Sequence, residues 1–328
     1  MTTPSEADAL ARSVQAAVVA KMMRNRPVNS FSPAHEPGSH ITADGRLYLN
    51  DIAYGTKLPN SFLDIWHPDA QLDVRRPVLV YFHGGGFLFG DKVLGDPLAA
   101  ESSTGLMSLI GPFMDDGFAV VCSEYAFAPE HLFPAQVLQV DQVVRFIQSH
   151  ADQYALDSNR IVLMGGSAGA SLTEIYGLVV ANPAYAQRVG VRPGMHLNQL
   201  RGVIVDEAAL ATAGLTDGNM RALMQTWLGE KDIENSEAAK RIAVAENVDG
   251  AYPPAFINAS NVEPWFEQSA VELRDALKRH SLPHEFFYRD RSVEPLEHGY
   301  VNRHRTNAVA KDCFDQMRAF ALRVVATA

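Results

Sequence analysis

The stretch RIVLMGGSAGASLTEIYGLVVA, residues 160–181, decides the fold. Its opening run, Arg160 to Met164, is short, apolar and followed by glycines, which predicts a strand buried on both faces. Its closing run, from Ser171 to Ala181, predicts a helix. Between them stands Gly165-Gly166-Ser167-Ala168-Gly169, a G-x-S-x-G pentapeptide at a strand-to-helix turn. Such a turn strains the serine backbone, and its glycines let neighbouring chains crowd. The hydroxyl then stands exposed at the positive end of a helix. A glycine-rich turn can merely join a strand to a helix, but this context points to Ser167 as a nucleophile.

Similar buried runs recur at Pro77 to Phe82, Phe118 to Cys122, Gly202 to Val205 and Ala255 to Ala259. Helical periodicities lie among them: Val137, Val140, Val144 and Ile147 share one face, as do Val309, Cys313, Met317 and Phe320. Strand alternating with amphipathic helix predicts a doubly wound α/β sheet. Two alternating segments, RLYLNDIAYG and SFLDIWHP, predict an antiparallel pair leading into it. A Pro-rich stretch before them, Arg24 to Gly38, is expected to be extended and irregular. The segment 211–248 breaks the rhythm with two helical pieces, MRALMQTWLG and SEAAKRIAVAENV, between neighbouring strands. Together with an amphipathic N-terminal helix (Ala9, Val14, Val18, Met22), it is expected to cap the strand ends. The expected organisation is thus a cap segment over 1–45, core over 46–210, a cap insertion over 211–248, and core again over 249–328.

Composition narrows the function. The 328 residues are 47% apolar and 20% charged, which is ordinary for a globular chain, and a core of this size needs no metal or disulfide staple. Lys and Arg total 28 against 38 acids, a net charge of −10, so the basic face that nucleic acid requires is missing. Cys122 and Cys313 lie far apart, match no metal-ligand spacing and sit in apolar runs, as buried reduced thiols do. Those thiols and an N-terminus unlike a signal peptide favour a cytoplasmic location. No apolar run is long enough for a membrane span.

A second glycine motif, His83-Gly84-Gly85-Gly86-Phe87, follows the strand PVLVYF. Its bare N–H groups are placed to converge on an oxygen that becomes negative in a tetrahedral intermediate. Gly85 and Gly86, with the Ala168 N–H, are the expected oxyanion hole. His83 is expected to be structural, and no phosphate-binding glycine pattern is present. A nucleophilic serine needs a base and the base needs an orienting acid, both C-terminal to the serine in this chain order. Five of the eleven histidines follow Ser167: His196, His280, His284, His298 and His304. Only His298, in Glu297-His298-Gly299-Tyr300, sits in a loop after a strand and before the last helix. For the acid, Glu263 lies just beyond the strand PPAFINA, 35 residues before His298, with Glu267, Asp249 and Asp290 as rivals.

These residues resemble the hormone-sensitive-lipase-like (bacterial type IV) carboxylesterases of the α/β-hydrolase superfamily, over roughly Arg76 to Phe320. HGGGF is similar to that family's oxyanion motif, and GGSAG to its GDSAG elbow. Glu124 to His131 (EYAFAPEH) with Phe133-Pro134-Ala135 resembles its DYRLAPE…FPA segment, and His298-Gly299-Tyr300 its H-G-F. There are departures: Gly166 replaces an Asp, Ala126-Phe127 replaces Arg-Leu and so removes an arginine brace, Ser260 replaces a common Gly, and Glu263 stands where the family has Asp. The resemblance implies an eight-stranded, mostly parallel sheet, a helical cap, no metal or other cofactor, and hydrolysis of small acyl esters by a Ser167-His298-Glu263 triad. It leaves open an amidase or formamidase with the same triad, a related enzyme of cyclisation or elimination, and a non-catalytic ligand-binding member. Those binders lack the base, which His298 supplies here. A homodimer is compatible with all of these.

Overall fold

The computed structural model describes residues 28–94 and 105–326. The expected N-terminal helix lies outside them. Among the described residues nine strands form one sheet in the order β1-β2-β3-β5-β4-β6-β7-β8-β9. The strands are β1 (Gly38–Ile41), β2 (Leu47–Ala53), β3 (Phe62–His67), β4 (Arg76–Phe82), β5 (Ala119–Ser123), β6 (Leu156–Gly166), β7 (Leu200–Asp206), β8 (Ala255–Asn258) and β9 (His284–Phe287). From β5 to β9 every pairing is parallel, whereas β1, β2, β3 and β5 pair antiparallel. The sheet therefore has one strand more than the eight expected. The extra one is β1, four residues hydrogen-bonded only to β2 and mostly exposed. With no face to bury, GSHI carries no apolar alternation that would announce a strand.

Alternate residues of the central strands feed two cores. Val78, Val80 and Phe82 of β4 pack on one face of the sheet, Leu79 and Tyr81 on the other. The first core is closed by α2 (Ala135–His150), α3 (Ala168–Ala181) and α8 (Pro264–Arg279), the second by α1 (Gly105–Asp115) and α9 (Ala308–Ala326). The remaining long excursion runs from β7 to β8 and carries α5 (Gly218–Leu228), α6 (Glu237–Ile242) and α7 (Val244–Asn247), with the short α4 (Pro183–Val189) ahead of β7. Cys122 and Cys313 are free and buried. No described helix is long and apolar enough to cross a membrane.

Parallel strands bring their C-terminal ends to one edge of the sheet, where ligand sites of such folds lie. Here Gly166 pairs with Asp206, and Asp206 with Asn258. The next residue along two of these strands, Ser167 and Glu207, has a positive φ, 56° and 65°. Both side chains are turned out of the strand path at the same edge.

Candidate active site

Ser167 occupies the sharp turn that its glycines allow. A Cβ on Gly165 would lie 2.1 Å from the Gly169 carbonyl carbon, and one on Gly169 would lie 1.9 Å from the Phe82 oxygen. Neither position admits a side chain. Gly166 is different, since a Cβ there meets nothing nearer than 3.9 Å, so a side chain at this position is not excluded by space. The Ser167 N–H donates to the Asp206 carbonyl at 2.8 Å, which ties the elbow to the end of β7. Ser167 then caps α3, whose N-terminal partial positive charge lies beside the hydroxyl.

The loop after β4 folds back on itself. Gly85 has φ 110° and Gly86 φ 61°, and a Cβ on Gly85 would sit 2.0 Å from the Phe89 oxygen. The N–H groups of Gly85 and Gly86 donate to no protein acceptor among the described residues. Gly85, Gly86, Ser167 and Ala168 line one cavity. His83 is fully buried at the loop's root, stacked 4.3 Å from Tyr125, with Nδ1 2.7 Å from the Gly84 oxygen. Its role is structural in this geometry. At the far end of the loop, buried Lys92 places Nζ 2.9 Å from Asp51 and 3.2 Å from Asp64. Its N–H donates to Glu124 Oε1, whose other oxygen lies 3.4 Å from His83 Nε2. Glu124 thus lies against both ends of the glycine loop, with a hydrogen bond at the Lys92 end.

In place of the absent arginine brace, neutral amides hold residues 126 and 127. Gln139 accepts from the Ala126 N–H at 2.7 Å, Gln136 donates to the Ala126 oxygen at 2.8 Å, and Asn29 accepts from the Phe127 N–H at 2.8 Å.

His298 lies on the loop between β9 and α9, its ring stacked on Phe266 at 4.2 Å and its side chain 38% exposed. Its Nδ1 is 2.6 Å from Glu207 Oε2, which also accepts the Gly299 N–H at 2.6 Å. The carboxylate in contact with the imidazole is therefore Glu207, where the sequence had pointed to Glu263. Glu263 lines the same cavity but makes no hydrogen bond to His298, and its Oε2 is buried without a partner. Glu267, one of the rivals, accepts from the Tyr288 hydroxyl. Another, Asp290, binds Ser292 within its own turn. The missed residue carried a legible signal. Glu207 directly follows the buried run Gly202 to Val205 and Asp206, at a strand end after the serine, which is the criterion that singled out Glu263.

Burial alone would push the His298 pKa down, but the Glu207 hydrogen bond and the charges of Glu207, Asp206 and Glu263 hold it above the ordinary value. Burial, reinforced by the Glu207 charge, pushes Asp206 up to about 7, although Asn258 donates to its Oδ1 at 2.7 Å. Asp206 is a support beneath the site, with its carbonyl on Ser167 and its carboxyl on Asn258.

Ser167 and His298 face one cavity of about 500 Å³, and no hydrogen bond joins them. Such contacts often tighten only when substrate binds. Met220, Leu223 and Met224 of α5 line the cavity together with the aromatic side chains Phe89, Trp265 and Phe266. Among the described residues no group of three or more His, Cys, Asp or Glu could hold a metal ion.

Residues 63–276 match the family model described as BD-FAE. Esterase LipI of Mycobacterium tuberculosis is 26% identical over 72% of this chain and 69% of its own length. Carboxylesterase NlhH of the same organism is 26% identical over 69% of this chain and 67% of its own. Among solved structures, esterase B from Lactobacillus rhamnosis, in a tributyrin phosphonate-inhibited form, superposes with a TM-score of 0.70 at 15% identity. That alignment covers 99% of this chain and 97% of the esterase.

Proposed function

The chain belongs to the BD-FAE family and is a hormone-sensitive-lipase-like carboxylic ester hydrolase of the α/β-hydrolase superfamily; we propose that it cleaves short-acyl esters through Ser167, His298 and Glu207. The observation that carries the proposal is the 2.6 Å contact between His298 Nδ1 and Glu207, with His298 and the strained Ser167 on one cavity. In this mechanism Ser167 Oγ attacks the ester carbonyl while His298 Nε2 takes its proton. Glu207 keeps the other ring nitrogen protonated and stabilises the imidazolium. The oxyanion is received by the N–H groups of Gly85, Gly86 and Ala168. Collapse breaks the bond to the alkoxy oxygen, which leaves with the proton from His298. Water, deprotonated by the same ring, then hydrolyses the acyl-enzyme.

Residues 211–248 act as a cap in this reading, and the side chains of α5 limit the length of the acyl group. Acyl chains of roughly two to six carbons are what the resemblance to the esterase family implies for such a mostly apolar site. The test is a series of para-nitrophenyl esters of increasing acyl length, with para-nitroacetanilide as the amide counterpart. The expected result is highest kcat/KM at short chains and at least a hundredfold preference for ester over amide. Faster turnover of long-chain esters, or of the anilide, would contradict the proposal.

A further inference from the structure

Phe87 ends the glycine motif with φ 65°, a conformation that an aromatic residue holds only where its surroundings impose it. Its contacts show what imposes it. The Phe87 carbonyl accepts the Ala128 N–H at 2.9 Å. Its buried ring stacks on Trp227 of α5, with ring centroids 3.6 Å apart and planes 6° from parallel. Trp227 is in turn fastened to the core. Its Nε1 donates to Gln136 Oε1 at 3.1 Å, its carbonyl accepts the Phe133 N–H at 3.0 Å, and its ring meets Phe133 edge-on at 5.4 Å. One turn earlier on α5, Leu223 lies over the neighbouring loop residue, since a Cβ on Gly86 would sit 2.3 Å from Leu223 Cδ1.

The conformation of Phe87 bears on the donors beside it. The N–H groups of Leu88 and Phe89 both donate to the Gly85 carbonyl, at 3.1 and 3.2 Å, so a tight turn closes around Phe87. The Gly85 carbonyl and the Gly86 N–H belong to one trans peptide and point in opposite directions. Whatever fixes that turn therefore fixes the direction of the Gly86 N–H. Among the described residues Phe87 and Leu223 line the cavity and Trp227 does not. The influence of Trp227 on the reaction has to pass through the loop.

We propose that Trp227 is a positioning residue for the oxyanion loop: stacked on Phe87, it holds the strained turn and so aims the Gly86 N–H. The excursion between β7 and β8 then acts on the chemical step and not only on which substrates enter. This inference rests on the reading of Gly85 and Gly86 as oxyanion donors in an ester hydrolase.

Trp227→Leu and Trp227→Phe test it, with kcat and KM measured on a short-acyl para-nitrophenyl ester. A short-chain trifluoromethyl ketone gives the second readout. Ser167 Oγ bonds to its carbonyl carbon, the hydroxyl proton passes to His298, and the carbonyl oxygen becomes an oxyanion that no leaving group can relieve. Trp227→Leu removes the stacked ring. In the folded protein kcat should fall about 10–100-fold with KM changed less than about threefold, because a misaimed donor is missed mainly in the transition state. Inhibition by the ketone should weaken by a similar factor. Trp227→Phe keeps a ring against Phe87 and should hold kcat within about threefold of the parent. Phe87→Gly removes the stack from the loop side at a φ that glycine accepts, and should weaken ketone binding relative to KM by about tenfold or more. If Trp227→Leu does not fold, Phe87→Gly decides alone, and an unchanged ratio there overturns the proposal. A folded Trp227→Leu with kcat and ketone inhibition unchanged also overturns it, as does a rise in KM at constant kcat. Failure of the underlying reading looks different: Gly86→Ala, whose Cβ would run into Leu223, would then match the parent in kcat and ketone inhibition.

Discussion

At the scale of single residues, the choice between two carboxylates decides how His298 works. Glu263 and Glu207 each follow a strand end C-terminal to the serine, and sequence position cannot separate them. Backbone geometry does, because Glu207 sits at φ 65° and is turned back toward the loop that carries His298 and Gly299. Within the proposed site, Ser167, His298 and the glycine loop can be singled out from sequence because each lies in a short contiguous motif. The proposed acid cannot, because Glu207 and Glu263 meet the same positional criterion and only the meeting of two separate loops distinguishes them. Glu207→Gln should lower kcat by about 10³–10⁴-fold, since an amide permits the wrong imidazole tautomer. The pH profile provides a second check. A base works only when neutral, and the His298 pKa lies above its ordinary value, so the acid limb of kcat/KM should fall above about pH 6.5. Removing the Glu207 charge should move that limb to lower pH. A parent limb below pH 6, or a limb unmoved in the variant, would contradict this account of the imidazole.

At the scale of elements, the glycine loop, the proposed oxyanion site, shows how a strand end is held in place. Gly85 and Gly86 take conformations open to few other residues, and the loop has no helix or strand of its own to hold it. It is held instead at its ends, by His83 under Tyr125 and by Lys92 between Asp51 and Asp64. Burial pushes Asp64 up to about 6 even with the Lys92 charge beside it, so the buried ion cluster is a costly anchor. Lys92→Met would strand two buried carboxylates and should cost about 3–5 kcal/mol of stability in urea titration. In the fraction that folds, kcat should fall more than KM changes, because oxyanion donors act mainly on the transition state. A rise in KM at constant kcat would mean that the cluster shapes the substrate pocket instead. Nothing in the sequence foretold this cluster. Asp51, Asp64 and Lys92 come from two strands and a loop, and each alone reads as a surface charge.

At the scale of the whole molecule, the sheet was legible where it is buried on both faces and illegible where it is not. The runs over β4 to β8 announced themselves through continuous apolar sequence, and α2 and α9, one in each layer, through their periodicity. β1 did not, because an exposed edge strand is specified by pairing with β2 rather than by burial. The excursion between β7 and β8 was legible as a break in rhythm, and its helix α5 supplies the cavity wall. All these parts serve one claim, that the chain turns a single serine into a nucleophile at the edge of a parallel sheet. The most direct measurement is reaction with a fluorescent alkyl phosphonate, followed by intact mass and peptide mapping. One adduct per chain should form, on the peptide that contains Ser167, with concurrent loss of esterase activity and no adduct in Ser167→Ala. An adduct on another serine, or full activity in Ser167→Ala, would contradict the account.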